Sequence, residues 1–186
     1  MRKIVLVRHG PVALKASGLL SFEDFQAYIA AYESSGLVEA ATPPEELFRQ
    51  VADISTVFAS NAPRVVETLA RLRLEPNVVS LEFREAPPSA PRATLRLPAI
   101  VWLGLARARG EFSPALASAR GDLRSRAAAC AERLIEASQS GPAALVGHGW
   151  FNRYVAGALT ARGWRRAGGP GFAGPWGYLS LERHVG

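Results

Sequence analysis

The chain has 186 residues, of which 48% are hydrophobic and 20% charged, and its formal net charge is +6 at pH 7. That length and balance fit one globular domain, residues 1–186, with a core large enough to need no covalent staples. Cys130 is the only cysteine, which excludes an internal disulfide and a multi-cysteine metal cluster. The apolar run after Met1-Arg2-Lys3 covers Ile4 to Val7, and the longest later run covers Ala99 to Ala106. Both are too short for a signal peptide or a membrane span, so a soluble cytoplasmic protein is expected, with no membrane partner. Apart from Lys3 and Lys15 the basic residues are arginines, which hold phosphate through paired hydrogen bonds. They are scattered, with small clusters such as Arg162, Arg165 and Arg166. A nucleic-acid face would need a basic stripe with interleaved aromatics, so no nucleic-acid partner is expected.

Lys3 to Val7 reads as a short buried strand that ends at a polar turn. Ser21 can cap a helix to Ser34, in which Phe22, Phe25, Ile29 and Tyr32 recur at helical spacing as core. Pro43 and Pro44 open a second helix through about Ala52, and Ser55 to Ala59 is a second strand. Asn61 is the expected cap of the next helix, with Pro63 in its first turn and Val65, Val66, Leu69 and Leu72 on its buried face. Val78 to Phe83 is a third extended segment, and the four prolines between residues 86 and 98 mark an irregular loop. A helix from Ile100 to Arg109 follows. Asp122 is the expected cap of a long helix to about Ser140, with Leu123, Ala127, Cys130, Leu134 and Ala137 in one stripe and Gly141 as terminator. Ala143 to Val146 is a fourth strand and leads into a helix from Trp150 to about Ala161. The glycine-rich stretch from Arg162 to Trp176 reads as loop, and Tyr178 to Leu181 as a last strand. Strands alternating with helices imply a three-layer α/β/α sandwich with a mostly parallel central sheet, whose ligands bind at the carboxyl ends of the strands.

Three of those strand ends carry related chemistry. The first runs into Arg8-His9-Gly10, the second into Ser60 with Arg64 one helical turn on, and the fourth into Gly147-His148-Gly149. Two histidines and two arginines therefore meet on one edge of the sheet. Helix N-termini there add free N–H groups, and guanidinium pairs suit the oxygens of a phosphoryl group.

Arg8-His9-Gly10 after a first strand resembles the signature of the histidine phosphatase superfamily, the phosphoglycerate mutase-like proteins. Ser60 with Arg64-Val-Val-Glu-Thr68 is similar to that family's second-arginine helix. Phe83-Arg84-Glu85 is similar to its acid-bearing element, and Val146-Gly147-His148-Gly149 to its second histidine. Four elements in this order are far more specific than the tripeptide alone. The resemblance implies a phosphomonoesterase, acting on a small phosphorylated metabolite or a protein phosphohistidine, with no cofactor and no metal. It implies that His9 is the nucleophile, that Arg8, Arg64 and His148 stabilise the transferring oxygens, and that Glu85 is the acid and base. Glu82, three residues earlier, is the alternative acid. Gly10, Ser60 and Gly149 join Arg8, Arg64 and His148 as expected phosphate-binding positions.

The chain also departs from the family pattern. Pro11, Val12, Ala13 and Leu14 replace the polar residues that usually follow R-H-G, and a proline-rich loop replaces the motif after Glu85. These changes argue against mutase transfer, which is the alternative activity beside a retired phosphate-ligand binder. Lys15, Arg92 and Arg96 are candidates for a second anionic group of the substrate. The sequence leaves open the substrate, the oligomeric state (a homodimer included), and whether residues 15–45 form a lid or a wall.

Overall fold

The computed structural model describes residues 1–184; the last two residues of the expected domain lie outside them. Six strands form one sheet: β1 (Arg2–Arg8), β2 (Thr56–Ser60), β3 (Val78–Ser80), β4 (Ala143–Gly147), β5 (Arg165–Gly168) and β6 (Tyr178–Arg183). Their order is β3-β2-β4-β1-β6-β5. The first four run parallel to one another, and β6 and β5 add antiparallel at one edge. In the central pair Ile4 lies opposite Ala143 and Arg8 opposite Gly147. That register brings the ends of β1 and β4 level, so the residues that follow them emerge side by side.

The two faces of the sheet explain the continuous apolar runs. Alternate residues of a strand point to opposite faces. Ile4, Leu6 and Leu145 pack against α5 (Ala117–Ala137) and α6 (Gly149–Thr160). Val5, Val7, Ala144 and Val146 pack on the other side against α2 (Glu45–Val51) and α3 (Pro63–Leu72). A third, smaller cluster joins α1 (Phe22–Ser34) to α4 (Ala99–Phe112) through Phe25, Trp102 and Ala106. It is tied down by Trp102 Nε1 donating to the Leu20 carbonyl at 2.8 Å. The expected α/β/α sandwich is therefore the observed one. Ser21 caps α1 and forms a capping box with Asp24, as its sequence predicts. Cys130 lies in the core, where burial pushes its thiol up to about 12, so it is packing material.

Five expectations need correction. Asn61 does not cap α3; Ala62 holds that position, and Asn61 Oδ1 instead accepts from Arg84 Nε at 2.7 Å. A charge-assisted bond to a guanidinium outweighs a local turn contact. Val66 is 52% exposed, because the inward stripe of α3 runs through Arg64, Val65, Thr68, Leu69 and Leu72. The third extended segment stops at Ser80, whose hydroxyl accepts from Glu82 N and starts a 3₁₀ turn over Leu81–Phe83. Asp122 lies inside α5, which begins at Ala117 after a 3₁₀ turn opened by Pro114. The Arg162–Trp176 stretch contains β5, which pairs through its backbone with β6. Its exposed arginines gave no alternating pattern to read.

Arg73 ends α3 in the left-handed region, at φ 56° and ψ 38°. A side chain with a Cβ is disfavoured there and glycine is not. Arg73→Gly should therefore stabilise the fold by roughly 0.5–1 kcal/mol, visible as a higher urea midpoint with an unchanged slope. An unchanged or lower midpoint would show that the cap is not strained.

Candidate active site

Each residue of the site is delivered by the end of a parallel strand or the start of the helix behind it. His9 follows β1, and its N–H donates to the Gly147 carbonyl at 3.0 Å, which extends the sheet by one bond. His148 precedes α6 and is 1% exposed, against 4% for His9. The two rings meet edge to face, with centroids 5.5 Å apart. Ser60 closes β2, and Arg64, in the first turn of α3, is 1% exposed. His9, Ser60, Arg64 and His148 thus converge, as the strand-end argument requires.

Hydrogen bonding fixes both tautomers. His9 Nδ1 lies 2.8 Å from the Gly10 carbonyl. A carbonyl can only accept, so Nδ1 carries the proton and Nε2 keeps its lone pair. Arg64 Nη2 donates to His148 Nδ1 at 3.3 Å, so His148 carries its proton on Nε2 and donates it to Ser60 Oγ at 2.9 Å. Both imidazoles are held neutral. Burial first, and then the Arg8 and Arg64 charges, lower the His9 pKa to about 3 against the pull of its Gly10 bond. Burial likewise puts His148 well below its ordinary value, helped by Arg64, His9, Arg8 and Arg84.

The two arginines are held by different partners. Arg8 Nη1 donates to the carbonyls of Phe172 (2.8 Å) and Ala173 (3.1 Å), in the loop before β6. Arg64 Nη1 donates to the carbonyls of Tyr32 (3.1 Å) and Glu33 (3.3 Å), and its Nη2 to the Glu33 carboxylate at 3.0 Å. Its guanidinium also stacks on the Tyr32 ring, 4.9 Å from the centroid. The C-terminal end of α1 therefore sits on the site as a wall. Arg8 Nε and Arg64 Nε are both buried without a hydrogen-bond partner. Buried donors are nearly always satisfied, so two unpartnered guanidinium N–H groups beside two neutral imidazoles mark a place made for an anion.

Close approach explains the glycines. A Cβ on Gly10 would lie 2.5 Å from the Trp176 ring, and one on Gly149 would lie 3.2 Å from Arg8 Cδ and from the Phe172 carbonyl. Gly10 N–H donates to Thr68 Oγ1 at 3.0 Å, and that hydroxyl donates to the Arg64 carbonyl at 2.7 Å. Thr68 thereby joins the first histidine turn to the second-arginine helix. Its spacing of four from Arg64 on a helix was the signal for it. Tyr32 and Glu33 read only as part of an amphipathic helix, and Trp176 as loop; no local pattern marked them.

Glu85 sits at the N-terminal end of α6. Its Oε1 accepts from Phe151 N and its Oε2 from Trp150 N, both at 3.0 Å, and Arg107 pairs with it at 3.4 Å. It thus closes the first turn of the helix that carries His148 at its start. Glu82 pairs with Arg133 at 3.0 Å on the outer surface. Arg96 pairs with Asp24 in an exposed contact, and Arg92 lines a separate recess with Phe22, Gln26 and Arg109. His184 is exposed. Among the described residues no cluster of His, Cys, Asp and Glu could hold a metal ion, and no helix is long and apolar enough to cross a membrane.

The sheet is mostly parallel, His9 and His148 follow its first and fourth strands, and Arg64 reaches His148 from the start of α3. Solved structures share this fold. The chain is similar to the product of the open reading frame Rv3214 of Mycobacterium tuberculosis, at 16% identity and a TM-score of 0.61, over 100% of this chain and 93% of that one. It is similar to a phosphoserine phosphatase from Entamoeba histolytica, solved with 3-phosphoglyceric acid, at 15% identity and 0.58, over 97% and 90% of the two chains. It is also similar to an ecdysone phosphate phosphatase from Bombix mori, solved with tungstate, at 15% identity and 0.54, over 98% and 90%. At such identities the likeness establishes the fold. No protein-family model matches the chain, and no curated protein sequence does.

The neutral histidines have a measurable consequence. The unfolded chain protonates His9 as pH falls below about 6.5, whereas the folded chain does so only near 3. Folding stability must therefore fall as pH drops through that window, by about 1.4 kcal/mol per unit for each such group. His9→Gln should flatten the decline between pH 6 and 4 by about 1 kcal/mol per unit, read from urea midpoints. Parallel curves for the two proteins would show that His9 is not held neutral.

Proposed function

We propose that the chain is a phosphomonoesterase working through a phosphohistidine on His9, and that residues 1–186 act as one domain around this site. The observation that carries the reading is the neutral His9 with its Nε2 lone pair free, placed beside two arginines with unpartnered buried Nε–H groups. A nucleophile and a set of anion donors together support group transfer. A binding protein would need the donors alone. The phosphatases that share the fold support the same class of reaction on small phosphorylated molecules.

In this reading His9 Nε2 attacks phosphorus, the N–P bond forms, and the ester P–O bond breaks. Arg8 and Arg64 meet the charge on the equatorial oxygens. His148 holds Arg64 in place and adds its own dipole, in a site where preorganised donors supply most of the rate. The leaving oxygen takes a proton from Glu85. Water then attacks phosphorus, the N–P bond breaks, the water's proton passes to the same carboxylate, and phosphate leaves. Glu85 must release a backbone bond to α6 to reach the leaving oxygen, which couples proton transfer to the helix that carries His148. None of these steps calls for a metal.

Hydrolysis of p-nitrophenyl phosphate with a chelator present tests the reading, beside an acid-labile label check for phosphohistidine. His9→Ala should lose roughly 10³-fold or more, with no label. Arg64→Ala should lose about 10²–10³-fold, as loss of a transition-state donor does elsewhere. Full activity in His9→Ala would end the proposal.

The Glu33 carboxylate on Arg64 competes with an incoming phosphoryl group for the same guanidinium. Glu33→Gln should lower KM by about threefold or more, since it removes a like charge within ion-pair distance, while kcat changes little. A KM that stays the same would show that Glu33 swings clear at no cost.

A further inference from the structure

A small recess lies next to Glu85. Its walls are the proline loop (Pro87, Pro88), α4, the start of α5, and Trp150 and Tyr154 on α6, and it holds a cavity of about 70 Å³ that opens to solvent. Glu85 adjoins it through its bonds to Trp150 and Arg107. Trp150, two residues after His148, gives its backbone N–H to Glu85 and its ring to the recess. Arg107 pairs with Glu85 and donates to the Ala86 carbonyl at 3.0 Å, while its guanidinium stacks on Trp150 at 5.1 Å.

Every charged side chain on this wall already has a partner. Arg107 has Glu85 and the Ala86 carbonyl. Arg120 donates to the carbonyls of Gly110 (2.9 Å) and Ser113 (3.4 Å). Glu111 accepts the hydroxyl of Tyr154. The rest of the lining is proline, alanine, leucine, Gly110 and the tryptophan and tyrosine rings, with the Ser89 hydroxyl as its one uncharged polar side chain besides the tyrosine. A carboxylate or second phosphate placed there would find no free cation and would lose its water, which costs far more than an apolar group does. A hydrocarbon or ring would lose only its contact with water, which favours binding.

Resting on the phosphomonoesterase reading, we infer that this recess holds the leaving alcohol, and that the substrates are phosphate monoesters of uncharged, apolar alcohols rather than phosphorylated acids. The ester oxygen then lies near Glu85, which can give it the proton it needs as the P–O bond breaks.

The test compares kcat/KM of the full chain for 2-phenylethyl phosphate with O-phosphoserine and 3-phosphoglycerate, all alkyl esters and so of comparable intrinsic reactivity. The apolar ester should be preferred by roughly tenfold or more. Ala119, exposed at the mouth, supplies two variants. Ala119→Trp should cut turnover of 2-phenylethyl phosphate about tenfold and leave labelling of His9 by phosphoramidate, a donor too small to need the recess, unchanged. Ala119→Arg adds a free cation and should raise kcat/KM for 3-phosphoglycerate. Labelling of His9 with no preference for the apolar ester, or with no effect of Ala119→Trp on it, overturns the recess assignment alone. Failure of phosphoramidate to label the wild-type protein overturns the phosphatase reading and the assignment together.

Discussion

Burial of positive charge beside two imidazoles is the constraint on which the rest of the site depends. Arg64 is almost wholly out of water, and the nearby Arg8 is bound to carbonyl oxygens. Removing a guanidinium from water is costly unless its N–H groups are met. The fold meets most of them with the end of α1 on one side and the loop before β6 on the other. The same burial and the same charges keep His9 and His148 unprotonated. A protonated imidazole has no lone pair to attack with, so in the proposed reaction the arginines that attract an anion would also keep His9 ready for it.

That arrangement depends on the sheet. Parallel pairing of β1 with β4 and of β4 with β2 puts three strand ends level. Glycines at 10 and 149 let Trp176 and Arg8 come within contact of the backbone. Thr68, bonded to Gly10 N and to the Arg64 carbonyl, fixes the distance between the first strand's turn and α3. Glu85 does the same for α6. The site residues are thus held mainly by backbone groups and buried side chains, an arrangement that suits chemistry resting on positioning. The helices above the sheet, α1 and α4, share a separate small core.

After the first histidine the chain runs through the apolar Pro11 to Leu14, and Val38 N–H donates to the Pro11 carbonyl at 2.9 Å. The segment after β1 is thereby drawn toward the loop that follows α1. The polar contacts to the site come instead from Tyr32 and Glu33. Just after Glu85, Pro87 and Pro88 give apolar surface to the recess beside α4 and α6.

Much of this was legible in the sequence, and the reason is local. Strands buried on both faces show as unbroken apolar runs, glycine and proline mark their ends, and a helix start follows each. The positions of His9, Arg64 and His148 at strand and helix ends, the sandwich itself and the core place of Cys130 are all determined by residues within a few positions of one another. What only the tertiary structure decided involves partners far apart in the chain. Asn61 left its helix for Arg84, and β5 formed because β6 offered it an edge. Tyr32 and Glu33 joined the site through the packing of α1 on α3, and Trp176 through the return of the chain 166 residues after Gly10. Periodicity records which face of an element is buried. It carries no record of which distant group that face will meet, because that is settled by the closing of the whole core.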